Sequence, residues 1–198
     1  MIIWINGTFG SGKSTTAYEL QRRIEPSIVY DPERFGYVFM RNVPKEIAKP
    51  DFQDYPLWRE ANYSLLKQIA SEYKGTIIVP MTLSNEHYFN EIIGQLRIDG
   101  IEIKHFTLMA SKQTIEKRLR KRLEGKKSWA HRQLEGRLIS LAGDDFKEHI
   151  VTDEMSVDEV VETIAAKSGV RLLPDRRTRM KKGVDRLVIA LKEMGLLK

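Results

Sequence analysis

The sequence predicts an α/β protein built on a doubly wound, five-stranded parallel sheet with helices on both faces. Three observations carry that prediction. Five short apolar runs alternate with longer segments of helical periodicity, an order that produces parallel strands joined by right-handed helical crossovers. One run, "GTIIVPMT", is apolar without alternation, as befits a strand covered on both faces. A glycine-rich stretch, "GTFGSGKS", lies between the first run and the first helical segment, at the end of a strand where such sheets bind ligands.

The first strand is "IIWING", and it leads into "KSTTAYELQRRI", where Ala17, Leu20 and Ile24 recur at helical spacing. "SIVYD" is a second strand ending in a carboxylate, and the Pro and Gly of "PERFG" are expected to break regular structure after it. Residues 43–73 read mostly as helix, with Trp58, Ala61, Leu65 and Ile69 on one face and Pro56 suited to the first turn. After the third strand, "SNEHYFNEIIGQLRIDG" is a helix capped by Ser84 or Asn85, with Phe89, Ile92, Ile93 and Leu96 inward and Gly100 as its stop. "IEIKHFTLMAS" is the fourth strand, and "KQTIEKRLRKRLEG" a helix with Ile115, Leu119 and Leu123 four apart. The polar "KKSWAHRQ" interrupts it before a further helical run to about Ala142. "EHIVT" is a weakly patterned fifth strand, and "SVDE" opens a helix through a capping box from Ser156 to Glu159. Beyond the linker-like "RLLPDRRTR", an extra C-terminal helix carries Val184, Leu187, Val188, Leu191 and Met194 as one apolar stripe. Core packing is the ordinary use of such a stripe, and a membrane surface is the alternative.

With 198 residues, 41% of them hydrophobic and 30% charged, the chain suits one compact domain with a small appendage. It has no cysteine, which excludes a disulfide framework and a thiolate metal site. The opening "MIIWI" lacks the pattern of a secretory leader, which predicts a cytoplasmic protein. The net charge of +6 is concentrated in residues 171–198, while residues 1–170 balance. A second basic cluster runs from Lys112 to Arg137. Such clusters attract phosphate as nucleotide, nucleic acid or anionic lipid, or are simply a solvated face. No nucleic-acid module accompanies them, so no specific nucleic acid is expected, whereas the tail suits peripheral contact with an anionic membrane.

"GTFGSGKS" has the G-x-x-x-x-G-K-[ST] spacing at Gly7, Gly12, Lys13 and Ser14. In such a P-loop the backbone N–H groups of Gly7, Thr8, Phe9, Gly10, Ser11, Gly12, Lys13, Ser14 and Thr15 are candidates to cradle the phosphates of ATP. Lys13 reaches the outer phosphates, and the Ser14 hydroxyl ligates Mg²⁺. The third strand ends in "IIVPMTLSN" and offers no acid until Glu86. The nearest strand-end carboxylates are therefore Asp31 and Glu33 of "DPE". Asp31 is the candidate general base and metal ligand, and Glu33 a further metal ligand. The competing reading of Asp31 is a cap for the turn that follows. Arg118 and Arg122 lie four apart on one helical face and suit a cationic lid over a transferring phosphoryl group, with Arg118 also counted toward ATP.

The order of "GTFGSGKS", "VYDPERFG", "DFQDYPLWR", "IIVPMT", "HFTLMASKQTIEKRLRKR" and "SWA" resembles the tunicamycin-resistance family, the TmrB type of P-loop ATP-binding protein. The plan is also similar to adenylate- and shikimate-kinase-like enzymes, in which an R-x-x-x-R pair opens the lid. The resemblance implies a P-loop kinase-like fold, ATP with Mg²⁺, and protection against a nucleoside-like antibiotic with sugar hydroxyls and an acyl chain. It also implies an acceptor-binding insertion over residues 35–73, with Phe35, Arg41, Trp58 and Arg59 as acceptor contacts, and a lid over residues 118–137. Residues 1–170 then form the kinase-like body and residues 171–198 a basic extension. Phosphoryl transfer to the antibiotic, ATP-dependent sequestration of it, and a general nucleotide or metabolite kinase all stay open.

Overall fold

A computed structural model describes residues 1–121 and 129–193 of the chain. Strands β1 (Ile2–Gly7), β2 (Ser27–Val29), β3 (Thr76–Pro80), β4 (Ile103–Met109) and β5 (His149–Val151) form one sheet in the order β2-β3-β1-β4-β5, every pair parallel. The helices are α1 (Lys13–Arg23), α2 (Pro32–Asn42), α3 (Pro56–Glu72), α4 (Glu86–Phe89), α5 (Gln95–Ile98), α6 (Lys112–Lys121), α7 (Trp129–Leu141), α8 (Val157–Ser168) and α9 (Arg179–Glu193). β1 lies between β3 and β4, so the order reverses at its carboxyl end, and a crevice opens there.

Side chains alternate across a strand, so the buried β1 feeds two cores. Ile2 and Trp4 join Trp58, Leu66, Val79, Phe89 and Ile92 on one face. Ile3 and Ile5 join Ala17, Leu20, Val160 and Ile164 on the other. The capping box of α8 forms as read, Ser156 and Glu159 each bonding the other's backbone N–H.

Several stretches differ from the sequence reading, one of them "WAHRQ", which opens α7 instead of interrupting a helix. "PERFG" does not break regular structure but begins α2: the Asp31 carboxylate accepts the Glu33 N–H at 3.0 Å, and Pro32 occupies the first turn. At that position its missing N–H leaves no bond unmade. Between Val43 and Pro56 the chain makes two short 3-10 turns, Lys45–Ile47 and Phe52–Asp54. Pro44, Pro50 and Pro56 bias the residues before them away from helical angles, which rules out one continuous helix.

The C-terminal stripe is turned outward, contrary to the core packing expected of it. Of its members Val184, Leu187 and Val188 are exposed, as is the neighbouring Met180, while Leu191 is half-buried and Asp185 and Ile189 face the body; Met194 lies outside the described residues. The cause is charge. Glu19 of α1 is buried, and a carboxylate withdrawn from water must be paired. Arg177 pairs with Glu19, Asp175 and Asp185; Arg186 pairs with Glu19 and Asp158; Lys182 pairs with Asp158 and Asp175. Hydrogen bonds from Arg177 hold Asp175 and Asp185 below the usual carboxylate range. Among the described residues no helix is long and apolar enough to cross a membrane.

Candidate functional site

The phosphate loop is bolted to the sheet before it turns. The Asn6 Oδ1 accepts the N–H groups of Gly7 at 2.8 Å and Leu83 at 3.0 Å, and its Nδ2 donates to the Leu83 carbonyl at 2.8 Å. That Nδ2 also lies 3.3 Å from His105 Nε2; since the amide nitrogen is a donor, the imidazole nitrogen accepts. Burial, with Arg97 and His149 nearby, pushes His105 down to about 3, so the ring is neutral. The Thr82 hydroxyl donates to the Gly7 carbonyl at 2.7 Å.

Gly7, Gly10 and Gly12 then take φ of 142°, 74° and 104°, a region that penalises any Cβ. At Gly7 a Cβ would also lie 2.6 Å from Ser11 Oγ and 2.7 Å from the Leu108 carbonyl oxygen. α1 starts at Lys13 with no side-chain cap and no acid in its first turn, so its first N–H groups and its positive dipole end face the loop. The Ser11 hydroxyl is buried without a hydrogen-bond partner among the described residues. Lys13 is buried, its Nζ donating to the Thr8 carbonyl at 3.0 Å across the loop. Uncapped amides, an unmatched buried hydroxyl and a buried ammonium together fit a phosphate chain. Ser14 and Thr15 lie half-buried in the first turn of α1.

Arg118 reaches the same loop. Its guanidinium donates to the Ser11 carbonyl at 3.3 Å, the Thr152 hydroxyl at 3.2 Å and the Thr152 carbonyl at 2.9 Å. Arg122 lies outside the described residues, as do residues 122–128 of the lid expected over 118–137. Phe9 anchors the loop to α6 and α7 by packing against the buried cluster of Ala110, Ile115, Leu119 and Leu134.

On the acceptor side Asp31 serves as the α2 cap and also lies 3.5 Å from the Arg34 Nε. The neighbouring Tyr30 hydroxyl, which donates to Asn62 Oδ1, is pushed up to about 12 by burial and by the Asp31 charge. Glu33 sits in the first turn of α2. Phe35 and Arg41, also on α2, are exposed and accessible. Trp58 and Arg59 are not. Trp58 is fully buried with its Nε1 donating to the Pro32 carbonyl, and Arg59 is paired with Glu91, bonded to the Gln53 carbonyl and laid over the Tyr88 ring. Both lie in the first turn of α3, where that helix packs beneath α2, and Arg59 also lines a cavity together with Pro56, Glu60, His87 and Glu91.

Four further residues shape the site: Asn6, Thr82, Thr152 and Arg137. A polar side chain closing an apolar strand was the available signal for Asn6. Arg137 sits in a run of cations with nothing in the pattern to single it out.

An AAA domain family matches residues 2–135. Among solved structures, a tunicamycin resistance protein from Deinococcus radiodurans superposes with a TM-score of 0.74 at 32% identity, covering 88% of this chain and 99% of that one. A sugar kinase from Janibacter (TM-score 0.63, 18% identity, 85% and 94% covered) and a gluconokinase from Sinorhizobium meliloti (TM-score 0.59, 16% identity, 83% and 89% covered) share the fold. A search of curated proteins returns no match.

Proposed function

This chain belongs to the family of the tunicamycin resistance protein, within an AAA-domain group, and from that premise we propose that it transfers a phosphoryl group from ATP to a hydroxyl of a nucleoside-like antibiotic. The observation that carries the reading is the meeting of a phosphate loop, the buried Lys13 and Arg118 at the carboxyl end of β1. The loop from Gly7 to Thr15 would hold the phosphates, with Lys13 leaving the Thr8 carbonyl for the outer ones. Arg118, and Arg122 from the lid, would face the charge that spreads over the moving group. The acceptor oxygen bonds to the γ-phosphorus as the bond to the β,γ-bridging oxygen breaks; the hydroxyl proton passes to Asp31 and ADP departs. Ser14, Asp31 and Glu33 would hold Mg²⁺, which offsets phosphate charge when bound. Phe35 and Arg41 offer an apolar and a cationic contact to the acceptor. In this reading residues 1–170 are the cytoplasmic catalytic body, residues 35–73 its acceptor insertion and residues 118–137 its lid.

The test is mass spectrometry of tunicamycin after incubation with the protein and MgATP. A gain of one phosphate is expected; an unmodified drug beside protein that binds ATP would refute transfer. One observation favours a second reading, sequestration without chemistry: the Asp31 carboxylate is already engaged by the Glu33 N–H and Arg34. Sequestration requires that Asp31→Asn keep saturable drug binding while Lys13→Ala loses it. The extension, residues 171–198, is read as a peripheral contact with anionic membrane, its exposed apolar stripe flanked by Arg176, Arg179 and Lys192.

A further inference from the structure

Arg137 is the last residue of the proposed lid, and the transfer scheme above gives its side chain no role. The residue is nonetheless buried, 8% exposed, where α7 meets the phosphate loop and the segment before α3. It projects from α7, donates to Asp51 Oδ2 at 2.7 Å, and lies 4.8 Å from the centroid of the Phe9 ring. Asp51 uses its other oxygen to accept the Gln53 N–H at 3.0 Å, capping the 3-10 turn Phe52–Asp54 on the acceptor side. Phe9 lies inside the phosphate loop, its ring centroid 5.9 Å from Lys13 Nζ.

We propose that Arg137 is a positioning residue that clasps the segment 44–55 to the phosphate loop, so that nucleotide binding and the ordering of that segment are linked. The proposal rests on the phosphotransferase reading for what the segment receives. One planar side chain makes both contacts: an N–H meets the carboxylate while the guanidinium carbon lies over the ring, a combination that a lysine ammonium cannot reproduce. The pair is too buried to be a solvated surface contact. Burial pulls Arg137 down, while the Asp51, Glu33 and Asp54 carboxylates favour its charge. A nucleotide that draws Lys13 off the Thr8 carbonyl disturbs the atoms around Phe9, and the guanidinium on that ring carries the change to Asp51. By linkage, whatever orders one end favours order at the other.

The experiment is hydrogen exchange read by mass spectrometry on the full chain, with and without MgATP, for wild type, Arg137→Gln, Arg137→Lys and Asp51→Asn. In wild type MgATP slows exchange across residues 45–55. In Arg137→Gln and Asp51→Asn, exchange there rises about tenfold and the ATP-dependent slowing is lost, while amides of β1, β3 and β4 keep their protection. Arg137→Lys restores part of the nucleotide-free protection through the ion pair but not the response to ATP. Unchanged exchange across 45–55 with an intact core overturns the clasp. So does a loss of ATP affinity as severe as that of Lys13→Ala with the segment unaffected, which would make Arg137 a phosphate ligand. Where Arg137→Gln loosens the core strands as well, Asp51→Asn decides by the same criteria. Tunicamycin phosphorylation is scored separately, so failed transfer with an intact ATP response defeats the proposed activity and leaves the clasp standing.

Discussion

Gly36 is the position where packing of the acceptor side can be measured without touching the chemistry. It sits in α2, buried, and a Cβ placed on it would lie 2.4, 2.6 and 2.7 Å from Cγ, Cδ1 and Cδ2 of Phe52. Those atoms are the root of the ring, and the ring is held by Trp58 at 5.1 Å and Tyr37 at 6.3 Å between centroids. Gly36→Ala gains about 1 kcal/mol of helix propensity against an overpacking cost of about 1–3 kcal/mol. A clash this short at the rigid end of a pinned ring falls in the upper part of that range. The net effect is a loss of about 1–2 kcal/mol, or a Tm lower by roughly 3–6 °C for a chain of this length. Urea and thermal unfolding followed by circular dichroism would measure it. The double variant Gly36→Ala with Phe52→Leu should be more stable than the sum of the single changes by about 1 kcal/mol, because the smaller side chain yields to the new methyl. Gly36→Ala as stable as wild type, or additivity in the double variant, would refute the reasoning.

Three further outcomes follow from the same geometry. Asp31→Ala should lose about 1 kcal/mol of stability with its cap, whereas Asp31→Asn keeps the cap; urea unfolding separates the two variants, while tunicamycin phosphorylation should fall in both, since each loses the carboxylate that would take the proton and help hold Mg²⁺. His105 binds a proton near 6.5 when unfolded but near 3 when folded, so the unfolded chain takes up more protons and stability falls as pH drops through that interval. Between pH 6.5 and 5 the loss is about 1.5 kcal/mol, and His105→Gln should flatten that part of the urea-midpoint profile. Replacing Val184, Leu187 and Val188 together by Ser should abolish co-flotation with phosphatidylglycerol vesicles and leave the unfolding midpoint near that of wild type, since all three are exposed.

The sheet was legible because its signals are local and redundant. Apolar runs of strand length, glycine at the turn and the Ser156 capping box each suffice for their own element. α2 was not, because Pro and Gly break a helix in its interior but Pro opens one in its first turn, and Gly36 is present for contact with Phe52, sixteen positions later. The phosphate loop was legible residue by residue, since its spacing encodes its shape. The burial of Trp58 and Arg59 was not, because aromatic and cationic residues have the composition of a binding surface and only the seating of α3 under α2 shows them buried. Arg137 illustrates the same limit, because its partners Phe9 and Asp51 are distant in sequence and carry no pairing signal.

The extension was read as a block of positive charge, and that count hides two populations. Arg177, Lys182 and Arg186 are committed to Glu19, Asp158 and Asp175, while Arg171, Arg176, Arg179 and Lys192 are exposed and make no ion pair among the described residues. Deleting residues 176–198 would remove all of these cations except Arg171 and take both partners, Arg177 and Arg186, from the Glu19 carboxylate. Breaking a buried pair by removing one partner costs about 3–5 kcal/mol. A truncated chain that no longer binds vesicles would therefore report damage to α1, the helix that begins in the phosphate loop, as readily as loss of a membrane contact. Substitution on the outward stripe avoids this, since it spares every cation in the network. Its counterpart, Arg177→Gln with the stripe intact, should lower stability while vesicle binding persists, and the two variants together assign one face of α9 to the fold and the other to the surface it meets.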